Sequence, residues 1–249
     1  MTAGSVEPRN GRRVAVIGAG VIGACSALAL TRAGFSVTLI EHDQPGAATS
    51  YGNGAIVGEE SVVPVATPDM LRRLPGMLLD PLGPLTVRWS YMPRLFPWLL
   101  RFLLASRPKE VERISIALYA LLRGTLASYA EILAFVGAPE LLRRTGWVCV
   151  YESEAGLRRD RESHALQRRR GLPLDVLDAH ELRQLEPSLA PIFARAVFYP
   201  DVGHLLDSRR LVELVTEAVV RQGGTLLRAE ARDFEIGPDG PTAVVTDRG

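Results

Sequence analysis

A doubly wound α/β fold is predicted for this chain, with a parallel sheet shaped to bind a dinucleotide and an α+β domain inserted into it. Three observations predict it. The apolar run 14–17 ends in Gly18-Ala19-Gly20-Val21-Ile22-Gly23, a second apolar run over 35–40 ends in Glu41, and the same strand-and-helix alternation resumes only after residue 200. Residues 14–17 read as a buried parallel strand, 24–33 as a helix and 35–40 as a second strand. The glycines then fall at a strand-to-helix turn of Rossmann type. There Gly18 permits the tight turn, Gly20 lets the backbone approach a pyrophosphate, and Gly23 lets helix and strand pack closely. Val16, Ile17, Ala19, Val21 and Ile22 complete the turn, whose N–H groups and positive helix end attract phosphate. Glu41 stands where a carboxylate accepts hydrogen bonds from both ribose hydroxyls and repels a 2′-phosphate.

Composition narrows the function classes. The chain has 249 residues, enough for a large core, and a net charge of +1 from 29 basic and 28 acidic residues. Such a balance gives no footprint for nucleic acid. Cys25 and Cys149 are isolated, and His42, His164, His180 and His204 have no metal-ligand spacing, so a reduced compartment and no metal are expected. The polar residues 1–13 run straight into the first strand, which leaves no room for a signal peptide and points to the cytoplasm.

After Glu41 comes a loop of small residues, 46–55, instead of another helix and strand. It offers backbone N–H groups and the hydroxyls of Thr49 and Ser50 beside a pyrophosphate. An ordinary flexible connection is the alternative reading.

The set Gly18-x-Gly20-x-x-Gly23, Glu41 and Thr49-Ser50-x-x-Asn53 resembles the N-terminal part of the D-amino-acid oxidase superfamily of FAD-dependent oxidoreductases. Its loop is most similar to the D-amino-acid dehydrogenase (small subunit) branch. The segment 177–187, ending in Pro187, resembles that family's helix-then-proline element. The segment Asp201-Val202-Gly203-His204, leading to Gly223-Gly224-Thr225, resembles its return to the FAD domain. Gly54-Ala55 follows Asn53 where relatives often have Ala-Gly, and Ala231 or Asp233 stands where a valine commonly meets adenine. The resemblance implies FAD as cofactor and oxidation of the C–N bond of an amino acid. Hydride passes to the flavin N5, the imino acid hydrolyses to a keto acid, and a quinone or oxygen accepts the electrons. A glycine- or sarcosine-type amine oxidase and a non-catalytic fragment of a split enzyme are the alternatives. No catalytic residue is assigned. Asn53 and His204 are candidates for lining the flavin, against a plain loop-ordering role for both.

The remaining elements follow in order. Residues 1–60 form the first segment of the FAD-binding domain (of the GR2-like type), 61–200 the inserted substrate domain and 201–249 the second segment. Prolines break 60–98 into short pieces. Residues 89–104 are apolar, aromatic and arginine-flanked, too short and charged to span a bilayer. They suit either a packed helix or an interfacial one contacting the inner face of the membrane. One helical stripe runs through 109–136 and closes at Gly137 and Pro139. Strands over 147–151 and 196–199 flank a basic helix over 156–170. Asp207 opens a helix to Gln222, 225–227 return as a strand, and 231–247 form a hairpin. The family continues with further flavin-closing strands after such a hairpin, so the chain is expected to be an N-terminal portion whose sheet is incomplete, with an exposed edge.

Overall fold

A computed structural model describes residues 12–80, 86 and 88–249. The segment 1–11, and Pro81 and Pro84 among the breaking prolines, lie outside the described residues. In chain order the strands are β1 (Arg13–Ile17), β2 (Ser36–Glu41), β3 (Ile56–Val57), β4 (Leu142–Arg143), β5 (Trp147–Tyr151), β6 (Asp175–Asp178), β7 (Arg195–Tyr199), β8 (Gly203–Leu205), β9 (Thr225–Arg228), β10 (Ala231–Gly237) and β11 (Gly240–Thr246). The helices are α1 (Val21–Arg32), α2 (Pro68–Leu79), α3 (Met92–Ala105), α4 (Pro108–Leu122), α5 (Thr125–Val136), α6 (Glu154–Arg159), α7 (Arg161–Arg169), α8 (Ala179–Leu185) and α9 (Ser208–Arg221).

Two compact units divide the chain. One comprises the residues up to Ile56 with Ala127–Arg143 and His204–Gly249, and the other comprises Val57–Leu126 and Arg144–Gly203. Set beside the expected 1–60, 61–200 and 201–249, the main difference is that Ala127–Arg143, with most of α5, belongs to the first unit.

The first unit is a Rossmann-like parallel sheet of order β1-β2-β9. Val14 pairs with Val37 and Thr38 with Thr225. Gly20, extended at φ −78 and ψ −179, caps α1, so the helix starts at Val21, three residues before the apolar pattern suggests. At its far end Gly34 takes φ +85, with Gly34 N–H donating to the Thr31 carbonyl and Phe35 N–H to that of Leu30. That closure returns the chain directly into β2. Ala24, Ala27 and Leu28 of α1 are buried, as are Leu211, Val212, Val215, Ala218 and Val219 along one stripe of α9. Val37, Leu39 and Ile40 of β2 complete this core. Hydrophobic burial of the valine, leucine and isoleucine side chains among these contributes about 1.5–3 kcal/mol each. The β10–β11 hairpin folds where the Gly237-to-Gly240 turn predicts, with two irregularities of register.

The second unit holds an antiparallel sheet of order β5-β7-β6. Leu174, Val197, Tyr199 and Val202 form its buried cluster, with Cys149, Tyr151 and Leu157 packed against them. Two expected helices are each split. The stripe over 109–136 becomes α4 and α5, because Arg123 is extended (ψ 131) and Gly124 adopts φ +82, a left-handed turn that no helix continues through. The apolar window within Pro108–Val136 has a mean hydropathy of 1.3, but each of its two helices is shorter than the roughly 20 residues a bilayer needs. The basic helix over 156–170 becomes α6 and α7, separated at Asp160 (φ −95, ψ 7). The proline-rich stretch is more helical than expected. Pro68 occupies the first turn of α2 behind a Thr67 cap, and Pro97 lies inside α3. Strands β3, β4, β6 and β8 have four residues at most, too few to show an alternating pattern.

Candidate dinucleotide site

The glycine turn is assembled from both strands that flank it. Gly18, at φ +93, carries the chain out of β1, and its N–H donates to the Ile40 carbonyl over 2.8 Å. A Cβ on Gly18 would meet nothing within 4 Å, so the backbone angle alone demands glycine. At Gly23 the demand is space: a Cβ would lie 1.8 Å from the Gly18 carbonyl oxygen and 3.6 Å from Val16 Cγ1. Val16 therefore faces α1. Its neighbours Ala15 and Ile17 point to the other sheet face, where they line a groove of about 540 Å³ with Thr242 and Val244 of β11. Ile22, 79% exposed, stands in the first turn of α1.

Two side chains converge on this turn from distant positions. The Ala19 N–H donates to Glu41 Oε2 over 2.7 Å, and the Val21 N–H donates to Ser50 Oγ over 2.9 Å. Glu41 sits at the end of β2, its side chain 12% exposed, and its Oε1 accepts from Asp43 N–H and pairs with His42 Nδ1 at 2.9 Å. The first turn of α1 has no acidic residue of its own, and Glu41, bonded to the Ala19 N–H just before the helix, supplies a carboxylate near its positive end. Gly20 lies under Ser50, whose Oγ would be 3.3 Å from a Cβ there.

The loop carrying Ser50 divides its predicted residues. Ser50 is buried, whereas Thr49 and Asn53 are exposed. Asn53 uses both ends of its amide on the loop, donating to the Thr49 carbonyl over 3.3 Å and accepting from Ala55 N–H over 2.9 Å. That bond accompanies the left-handed Ala55 (φ +50). His204 lies in β8, opposite Arg143 of β4. The structure thus gathers Gly18, Ala19, Gly20, Val21, Gly23, Glu41 and Ser50 at one turn, while Thr49 and Asn53 are bonded to each other within the loop. Two positions that sequence reasoning missed hold the loop down: Gly46, at φ +74 against α9 with its N–H donating to the Ala19 carbonyl over 2.9 Å, and Ser208. The only sequence signal was a glycine in a small-residue loop and a serine at a helix start.

The turn fits a dinucleotide. Backbone N–H groups, a hydroxyl and the positive helix end face one turn, glycine at position 20 keeps a Cβ off it, and a carboxylate waits at the neighbouring strand end. No group of three or more His, Cys, Asp and Glu side chains suited to a metal occurs among the described residues.

The second unit carries a different polar cluster. Tyr151 Oη donates to Asp160 Oδ2 over 3.1 Å and lies 3.3 Å from His164 Nε2, while Arg73 donates to Asp160 Oδ1 over 3.0 Å. Tyr199 Oη donates to Gln167 Oε1 over 3.1 Å, and Gln167 Nε2 to the Glu60 carbonyl over 2.9 Å. Burial pushes the Tyr151 hydroxyl far above the usual phenol range, helped by Cys149 and Asp160. Burial also lowers the His164 pKa, with Arg168 acting in the same direction and Asp160 opposing. These groups tie α2, α7 and the sheet together.

Comparison with known proteins identifies a family. The model described as FAD dependent oxidoreductase (DAO) matches residues 13–249. A D-amino-acid oxidase of Bradyrhizobium diazoefficiens is 36% identical over 242 residues, which is 96% of this chain and 57% of that protein. A D-amino acid dehydrogenase 2 of Ralstonia nicotianae is 34% identical over 76% of this chain and 46% of its own length. Among solved structures, glycine oxidase from Geobacillus kaustophilus superposes with a TM-score of 0.63 over 96% of this chain and 52% of its own, at 20% identity, a likeness of fold. The chain spans about half the length of the curated relatives it matches.

Proposed function

The chain belongs to the FAD dependent oxidoreductase family, and from that premise we propose that it carries the FAD-holding part of an enzyme that oxidises the C–N bond of an amino acid, of D-amino-acid dehydrogenase or oxidase type. The observation that carries this reading is the convergence of Glu41 and Ser50 on the Ala19 and Val21 amides of the glycine turn. The Ser50 hydroxyl, seated on the Val21 N–H, and the positive end of α1 hold the diphosphate, Glu41 holds the adenosine ribose, and Gly18, Gly20 and Gly23 keep the backbone close. Val16, Ile17 and Ile22 shape the turn, and Thr49 and Asn53 order the loop above it. Bound FAD supplies the two-electron acceptor, and the protein contributes binding and orientation.

The test is a titration of the chain with FAD followed by flavin fluorescence, then a substrate panel on FAD-loaded protein. Saturable FAD binding and reduction by D-amino acids supports the proposal. Reduction by N-methyl amino acids or glycine alone would place the activity with the sarcosine and glycine oxidases, and FAD binding without reduction by any amine would leave a cofactor-holding fragment. Electrons leave to a quinone or to oxygen, distinguished by oxygen consumption. The exposed side chains Trp89, Phe96, Trp98, Leu100 and Leu103, interspersed with Arg94 and Arg101, support a peripheral contact at the inner membrane face. Sedimentation with anionic vesicles checks this, and a chain that stays in the supernatant at low salt refutes it.

A further inference from the structure

The loop between β2 and β3 is pinned by the first turn of α9. Ser208 Oγ donates to the Ser50 carbonyl over 2.6 Å. Gly46 lies so close to Val212 that a Cβ there would sit 3.0 Å from Val212 Cβ. Arg209 donates to Gln44 Oε1 over 3.4 Å, and its guanidinium lies 5.9 Å from the Tyr51 ring centroid. All of these residues lie in the first unit. At the helix start, Asp207 already serves as cap, accepting from Arg210 N–H over 2.8 Å. The Ser208 hydroxyl is therefore not spent on α9 and reaches the other way, to the peptide that carries Ser50.

Ser50 is buried, 7% exposed, and its oxygen accepts from Val21 N–H. A hydroxyl that accepts in this way keeps its own proton for a second partner. At the N-terminus of a helix the favoured second partner is an anion. We propose that Ser208 is a positioning residue for diphosphate recognition. By fixing the Ser50 peptide, it holds the Ser50 hydroxyl on Val21 N–H so that the remaining proton is aimed at a phosphate oxygen. The proposal rests on the dinucleotide reading of the glycine turn. Its physical gain is preorganisation, since a loop already pinned loses less freedom when the ligand binds.

The test compares wild type, Ser208→Ala and Ser208→Thr in the 249-residue chain. Titrations use FAD, ADP, which keeps the diphosphate, and adenosine, which lacks it. Hydrogen exchange at the Val21 amide is followed without ligand. Loss of one neutral hydrogen bond should weaken FAD and ADP about three- to tenfold in Ser208→Ala, leave adenosine unchanged and speed Val21 exchange. Ser208→Thr, which keeps the hydroxyl, should restore all three. A Ser208→Ala chain that falls equally for ADP and adenosine overturns the proposal, because a general structural role would do that. So does a Ser208→Ala chain indistinguishable from a wild type that binds FAD and ADP, which leaves the dinucleotide reading intact. A wild type that binds neither FAD nor ADP overturns both.

Discussion

Each unit of this protein contains a three-stranded sheet with helices against it, but the two use polar chemistry in opposite ways. In the first, the sheet is parallel and its polar features are backbone N–H groups at the end of β1, organised by glycines and satisfied by two side chains. In the second, the sheet is antiparallel and the polar features are side chains bonded to side chains, Tyr151 to Asp160 and Tyr199 to Gln167. A parallel strand ending in a turn before a helix brings amides, a buried hydroxyl and the positive helix end to one point, an arrangement suited to an anionic ligand. The side-chain network bonds its groups to one another and to the main chain, and so ties the second unit together.

The largest effect that would break this contrast belongs to Gly23→Ala. Its Cβ would fall 1.8 Å from a backbone oxygen that cannot step aside alone. A loss of about 3 kcal/mol is expected, the upper end of overpacking penalties, with Tm down by roughly 6–12 °C and FAD binding abolished. Calorimetry and a flavin titration measure it. An alanine variant that binds FAD normally would mean that the glycine turn does not work through close packing.

Next in size is Glu41→Gln, which keeps the shape and loses the charge behind the bonds to Ala19 and Asp43. Charge-assisted bonds are worth roughly 1.5–3 kcal/mol against about 0.5–1.5 for neutral ones, so FAD affinity should fall by about tenfold. Glu59→Gln is the control. Glu59 accepts from Gly124 N–H in the second unit, and its replacement should leave FAD affinity unchanged. Equal affinity in wild type and Glu41→Gln would remove the ribose assignment and leave the glycines to carry the site.

Tyr151→Phe should sharpen the contrast from the other side. It removes the hydroxyl shared by Asp160 and His164 and should cost about 1–2 kcal/mol in denaturant unfolding with no change in FAD affinity. A changed affinity would show that the network serves the cofactor after all.

The smallest effect is a pH dependence at His164. Burial holds its folded pKa below the ordinary histidine value of about 6.5, so the unfolded chain takes up the proton first as pH falls. The stability it contributes is present above about 6.5 and drains away as pH drops from there towards the folded value. Denaturant midpoints across this range should decline less steeply in His164→Gln than in wild type, and parallel curves would refute the assignment.

What the sequence made legible follows from the same contrast. Gly18, Gly20, Gly23 and Glu41 act through backbone angle, missing volume and strand position, which are local and visible in a spacing. Ser50 was visible as a hydroxyl in a small-residue loop, but its acceptance from Val21 depends on how that loop folds back. Ser208 and Gly46 were not legible, because their partners are Ser50 and Val212, far away along the chain. The Tyr151, Asp160 and His164 cluster was hidden within a pattern that read as one continuous basic helix. Asp160 breaks that helix and faces Tyr151 and Arg73, and no periodicity announces a tertiary partner.

The order β1-β2-β9 also sets a timetable for the chain as it emerges from the ribosome. Strands β1 and β2 are separated by a single helix and can zip together at once, while Thr38 must wait for Thr225 before the far edge of β2 is covered. Until then the most buried strand of the parallel sheet stands open along one side, through the synthesis of the entire second unit. Pairings this distant in sequence are slow to form, and the half-built sheet is the species most prone to associate with its own kind. Yield on expression should therefore be governed by the lifetime of that intermediate, improving with slower synthesis at low temperature or a chaperone that shields β2.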